Sequence, residues 1–428
     1  MLKTLVHFFV RVLKSSEIRK KVIITALILV VFRFTAHIPA AGMDRTSLKM
    51  LFYNSPFLSL LDVFSGGTLA NFSILALGLN PYINASIIFQ LLAYVVPSIE
   101  ALQKEGEYGQ EKLNQYTKLL TVPLAAIQGL AMYSLLKSQH VISSLSPLAV
   151  LSLVLTMTAG TVFAVWLGDL ISEHGLKDGI SFLIFVGIVS RLPISLGQSV
   201  ITFQSQDLLK VGLFLGMALL VIAGIVFMNE AVRKIPIHYS RRSGNSSLSP
   251  VTSYLPLRLN QAGVIPIIFA VSLVLVPSLI SQFLANSANP ILAHLATGVG
   301  RVFSPQSLVY NLVYFLLIFG FTYFYTAVVF NPDKISENLQ KGGGFIPGIR
   351  PGSSTAKYLS FVLGRITLIG GIFLGLVAIL PSFFQKTIGV ANLAIGGTGV
   401  LIVVSVVLEV IRQLEGELAM RKYETFIR

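Results

Sequence analysis

The chain has 428 residues, 54% of them hydrophobic and only 12% charged, with a mean hydropathy of +0.79 and a formal net charge of +14. Soluble domains carry about 25% charged residues, so this composition excludes an ordinary water-soluble enzyme or binding module. Cysteine is missing, which excludes disulfides, thiol nucleophiles and cysteine-held metals.

In chain order, a basic amphipathic N-terminus (MLKTLVHFFVRVLKSSEIRKK) shows no long apolar core of a cleavable signal. Runs of about 20 apolar residues, enough to cross a hydrocarbon core of about 30 Å, then recur. They cover about 22–39, 73–97, 115–137, 148–171, 179–200, 209–230, 263–285, 306–328, 361–385 and 391–412, ten in all. The 35 glycines suit close helix contacts in a membrane bundle. The fold class expected is therefore an all-α polytopic membrane protein. With the N-terminus inside, 24 Lys and Arg fall on the inner side and seven on the outer, with Arg33 inside the first span. The positive-inside rule then puts both termini in the cytoplasm. That bias accounts for most of the net charge, with anionic lipid as its natural contact, and it disfavours a nucleic-acid-binding role.

Ten spans divide at 201–208 into two sets of five, residues 1–200 and 209–412, with a tail over 413–428. An odd number per half gives the halves opposite topology, the plan of inverted-repeat channels and transporters. Between the first two spans, SPFLSLLDVFSGGTLANF (55–72) has an apolar run too short to cross, broken by Ser65-Gly66-Gly67. It reads equally as a short re-entrant helix dipping in from outside or as an interfacial helix lying flat. Two inner segments are long, 231–260 and 331–360. In the second, FNPDKISENLQKGGGFIPGIRPG (330–352), Pro347 and Pro351 bracket Gly348-Ile349-Arg350, which should hold Arg350 near a turn.

The six histidines (His7, His37, His140, His174, His238, His294) show no metal-ligand spacing, and no catalytic pair or nucleotide loop is visible. Asp169, Glu230 and Glu409 sit at the inner ends of spans, where charge costs little, and Arg33 is close enough to the outer end to snorkel. An enzyme is disfavoured and no cofactor is expected. A secondary transporter for a small molecule stays open as the rival to a channel. Neutral polar residues are scattered through the spans: Asn84, Gln90, Gln128, Asn260 and Gln261. They read either as interhelical hydrogen bonds, worth about 0.6 kcal/mol each, or as a polar seam where helices part.

Three long blocks, FSGGTLANFSILALGLNPYINASIIFQLL (64–92), YLPLRLNQAGVIPIIFA (254–270) and 330–359, resemble the SecY family, the central subunits of the protein-conducting channel. The resemblance implies a pore-forming subunit that passes unfolded preproteins and releases transmembrane segments sideways. It implies a plug over about 57–70, on Leu58, Leu61, Asp62, Phe64, Ser65, Gly66 and Gly67. An aliphatic pore ring would fall on Leu79, Ile83, Ile184, Ile188, Ile268 and Ile402, with Leu79 where the family more usually has isoleucine. The seam becomes a lateral gate with Asn84, Gln90 and Asn260, and Arg241, Arg242 and Arg350 become docking residues on the two inner loops. After Arg241-Arg242 the chain has Gly244-Asn245-Ser246-Ser247, where the family generally places a second basic cluster. Implied partners are SecE-like and SecG-like small subunits, the SecA ATPase motor, the ribosome and signal-bearing preproteins, at the inner (plasma) membrane of a bacterium.

Overall fold

A computed structural model describes residues 14–40, 62, 65, 67–69, 71–138, 145–176, 178–201, 208–239, 252–284, 290–388 and 397–427. Its first element, α1 (Ser16–Thr35), carries Glu17 in its first turn and Arg33 in its last, each matched to the helix dipole. After α1 the chain pairs briefly with 72–74: Ala40 N–H donates to the Phe72 carbonyl at 2.8 Å, and Ile74 N–H to the Ile38 carbonyl at 3.0 Å. The apolar stretch from 71 to 79 is a succession of turns, not helix. Positive φ at Phe72 (43°) and Gly78 (55°) shows why no helix can run through it.

Helix α2 (Asn80–Val95) therefore begins later than the second apolar run, with Pro81 in its first turn. It stops at Val96, whose extended backbone is what a following proline demands. Pro97 then opens α3 (Pro97–Lys104), bent by 103° from α2. Next come α4 (Glu107–Ser138), α5 (Pro147–His174), α6 (Gly179–Ile201) and α7 (Leu208–Glu230). α5 starts cleanly because the Ser146 hydroxyl accepts from Ala149 N–H while Pro147 occupies the first turn. Among the described residues, Glu107–Lys137, Pro147–His174, Leu308–Lys341 and Ser353–Leu380 are long and apolar enough to cross a membrane. The bent α2–α3 pair is long and apolar enough only when its two helices are taken together, as a broken span or a re-entrant loop, and Gly179–Arg191, Gly216–Glu230 and Ile265–Ser278 are shorter apolar helices.

The segment after α7 is not the loop expected over 231–260. It forms β1 (Val232–Tyr239) and β2 (Thr252–Arg258), antiparallel with Val232 opposite Arg258 and His238 opposite Thr252. The chain continues through α8 (Ile265–Leu284), α9 (Pro290–Val302) and α10 (Leu308–Val329). The polar excursion then folds as α11 (Pro332–Lys341), β3 (Gly344–Phe345) and a turn, before α12 (Ser353–Ile388) and α13 (Gly397–Ile427). Strand β3 adds to the free side of β1, so the two long segments form one sheet in the order β2-β1-β3. A small apolar core of Ile235, Leu257, Phe330, Ile346, Leu359 and Val362 seats that sheet on the ends of α10 and α12. The helical bundle has its own larger core.

Candidate functional site

Leu79 and Ile83 stand one turn apart at the start of α2, and Ile184 and Ile188 one turn apart on α6, so each pair shares a helix face. Ile268 lies on α8 and Ile402 on α13. All six belong to a single apolar cluster, with Leu79, Ile184, Ile188, Ile268 and Ile402 buried and Ile83 packed against it half-buried. α2 packs on α8 and α6 on α13. At Gly399, near the start of α13, a Cβ would sit 3.4 Å from Ile188 Cγ2, so α13 approaches α6 closely beside two of these residues.

Of the plug candidates, Asp62, Ser65 and Gly67 are described; Leu58, Leu61, Phe64 and Gly66 lie outside the described residues. The described ones form a tight, buried turn. The Ser65 hydroxyl donates to the Asp62 carbonyl at 3.0 Å and accepts from Leu69 N–H at 3.2 Å, and Gly67 N–H donates to the Asp62 carbonyl at 2.9 Å. This turn lies against the chain just before the aliphatic set, since a Cβ on Gly78 would be 3.7 Å from Ser65 Cα. The Asp62 carboxylate is buried and ion-paired with Arg191 of α6. Gly67, at φ +84°, lies directly under that guanidinium, so any side chain there would run into it. Arg191 was not among the residues expected at the site. Read only as an outer-side cation, it gave no sign of its partner 129 positions away.

The three polar seam residues do not come together through the hydrogen bonds described. Gln90 donates to Ser86, one turn back on its own helix, at 3.2 Å. Asn84 sits half-buried on α2. Asn260 donates to Asn229 of α7 at 3.0 Å, and Asn229 donates to Ser405 of α13 at 3.0 Å. Arg412 of α13 donates to the Asn229 carbonyl and, at 2.7 Å, to Glu230. Asn260 thus ties the exit of β2 to α7 and α13, one turn from Ile402.

Arg241 and Arg242 lie outside the described residues. Arg350 lies in the turn after β3, between Gly348 (φ +79°) and Gly352 (φ +96°). Its carbonyl accepts from the Thr355 hydroxyl at 2.9 Å, and the Ser336 hydroxyl of α11 donates to the Gly352 carbonyl at 2.6 Å. The turn is therefore fixed from both sides, leaving the exposed arginine side chain on a rigid base. On α11, Lys341 holds the Glu337 carboxyl below its ordinary value by a hydrogen bond at 2.7 Å. Among the described residues no cluster of histidines and acids could hold a metal ion.

Comparison with known proteins gives this arrangement a family. Residues 73–411 match the SecY family. A protein translocase subunit SecY from Streptomyces scabiei is 40% identical over 440 residues, covering 98% of this chain and 99% of that protein. The chain belongs to the SecY family. Among solved structures, one of a SecY protein whose plug domain is described as stabilising the closed state and maintaining a membrane seal aligns with a TM-score of 0.66. It has 19% identity and covers 94% of this chain and 93% of that one. The idle yeast Ssh1 complex bound to the yeast 80S ribosome aligns at a TM-score of 0.63 and 15% identity, covering 92% of this chain and 89% of that one. At those identities the structures establish the shared fold. Membership of a translocase family sets aside the small-molecule transporter, and the chain is a multi-pass membrane protein of that family.

Proposed function

We propose that this chain is the pore-forming central subunit of a protein-conducting channel, passing unfolded preproteins across the membrane and releasing transmembrane segments through a lateral gate. The observation that carries the reading is that six aliphatic side chains from four helices lie in one apolar core, with the turn at Asp62, Ser65 and Gly67 against Gly78, the residue before Leu79. An apolar collar resists wetting, so ions find no hydrated path, while an extended peptide can push it open. On this reading Leu79, Ile83, Ile184, Ile188, Ile268 and Ile402 are the ring, and Asp62, Ser65 and Gly67 belong to the plug. Asn84 and Gln90 border the gate, and Asn260 stands at its base.

The halves 1–200 and 209–412 form an inverted pair of five spans each, with both termini in the cytoplasm of a bacterium and the sheet on the inner face. The work comes from partners: a SecA-type ATPase motor or a translating ribosome docking on Arg241, Arg242 and Arg350, whose cations suit ribosomal phosphates. Small SecE-like and SecG-like subunits clamp the bundle, and anionic lipids meet its basic inner side.

The test is protease-protected import of a signal-bearing preprotein into vesicles holding this chain and its small partners, with SecA and ATP. Arg350→Glu should abolish ATP-dependent protection while the complex still assembles. Normal import by that variant would remove Arg350 from the docking site, and no import by the parent complex would count against motor-driven export.

A further inference from the structure

We infer that Tyr94 of α2 and Phe324 of α10 form the closing contact of the lateral gate; the inference rests on the lateral-gate reading above. The two rings stand 4.7 Å apart, centroid to centroid, tilted by 46°. Each belongs to a pair of helices already bound together by other side chains. On one side, α2 is tied to α4 by Phe89 stacked on Tyr116 at 6.2 Å and by Tyr82 donating to Asn114 at 3.2 Å. On the other, α8 is tied to α10 by Phe269 edge-on to Phe321 at 5.8 Å, and Phe321 in turn meets Phe324 at 6.5 Å. The α2–α4 pair and the α8–α10 pair thus behave as two panels that meet where α2 packs on α8, with Tyr94 against Phe324 also between them.

Tyr94's position is set by the backbone. It lies in the last turn of α2, two residues before Val96, where Pro97 forces the 103° bend into α3. The ring therefore cannot slide along the seam without unmaking that bend. The polar residue one turn back, Gln90, donates to Ser86 of its own helix. Tyr94 is 54% exposed, so the contact is not sealed into the core and can part without unpacking either panel. An aromatic pair of this kind biases an equilibrium by about two- to tenfold beyond the area it buries. That is enough to set how apolar an arriving segment must be before it separates the helices.

The complex with its small partners, in vesicles with SecA and ATP, provides the test. Two preproteins are compared, one with a full signal and one with a shortened apolar core. Tyr94→Ala and Phe324→Ala should each raise import of the shortened-signal preprotein about two- to tenfold. The double variant should gain no more than either single, and Tyr94→Phe should match the parent. Because the chain has no cysteine, Tyr94→Cys with Phe324→Cys gives a unique thiol pair. Linking that pair with a short bifunctional thiol reagent should block import, and reversing the link should restore it. If the linked pair blocks import but the alanine effects are absent or simply add, the gate stands and this contact is not its latch. If the linked pair imports normally and still releases transmembrane segments, the seam is no gate and both readings fall.

Discussion

At the scale of single residues, the buried ion pair between Asp62 and Arg191 is the most consequential feature of the site. Arg191 is 23% exposed and Asp62 only 8%, so each neutralises a charge that would otherwise be stranded out of water. Removing one partner of a buried pair costs about 3 kcal/mol, mostly because the other is left alone. Asp62→Asn should therefore loosen the turn from α6 and raise the ion conductance of the resting channel in planar bilayers. Arg191→Asp combined with Asp62→Arg restores the pair with its sense reversed and should bring conductance back down. A leak unchanged in Asp62→Asn would mean that the turn is held by its backbone hydrogen bonds alone. Neither charge announced the other in the sequence. Asp62 stood out as a lone acid in an apolar run, whereas Arg191 looked like one more cation near an outer helix end, and only the fold brings them together.

At the scale of elements, what decides the local architecture is how closely backbones approach. Gly160 of α5 faces the carbonyl of Ile74, so that a Cβ there would overlap backbone, which cannot swing aside as a side chain does. Gly160→Ala should push α5 off the turn segment at a cost of about 1–3 kcal/mol. The thermal unfolding midpoint of the purified complex should fall, whereas Gly216→Ala, with open space around its Cβ, should leave it unchanged. Equal midpoints for the two variants would show that the segment around Ile74 yields easily. The same region marks the limit of what periodicity conveys. Long apolar runs were legible as spanning helices because length and composition suffice for them. The start of α2 was not, because 71–79 is as apolar as a helix yet is held in turns by conformations that composition does not record. The strands β1 and β2 were hidden for another reason: Pro236 and Pro256 interrupt both stretches, and proline ordinarily argues against a paired strand.

At the scale of the whole molecule, the two long segments are one device. Each was legible alone as a loop, Arg350 near its turn included, but their union depends on β3 adding to β1, a two-residue pairing of His238 with Phe345 and Tyr239 with Gly344. Through it the Arg350 turn shares a platform with the β1–β2 hairpin. At its other end the exit of β2 is bound by Asn260 and Asn229 to Ser405, one turn from Ile402. A partner pressing on the platform thus acts on a part joined to α13, and the β3–β1 pairing that carries the Arg350 turn can be cut without touching the bundle. Gly344 packs so closely on Tyr239 that a Cβ would lie 2.9 Å from its ring, so Gly344→Val should displace β3 from β1. The expected outcome is a loss of SecA-dependent import of at least the size seen when Arg350 is replaced by Glu. Resting ion conductance should be unaltered, because the aliphatic core and the Asp62–Arg191 pair lie outside the sheet. A conductance that rises with the loss of import would mean instead that the platform helps hold the channel shut, and that the sheet and the pore act as one unit even at rest.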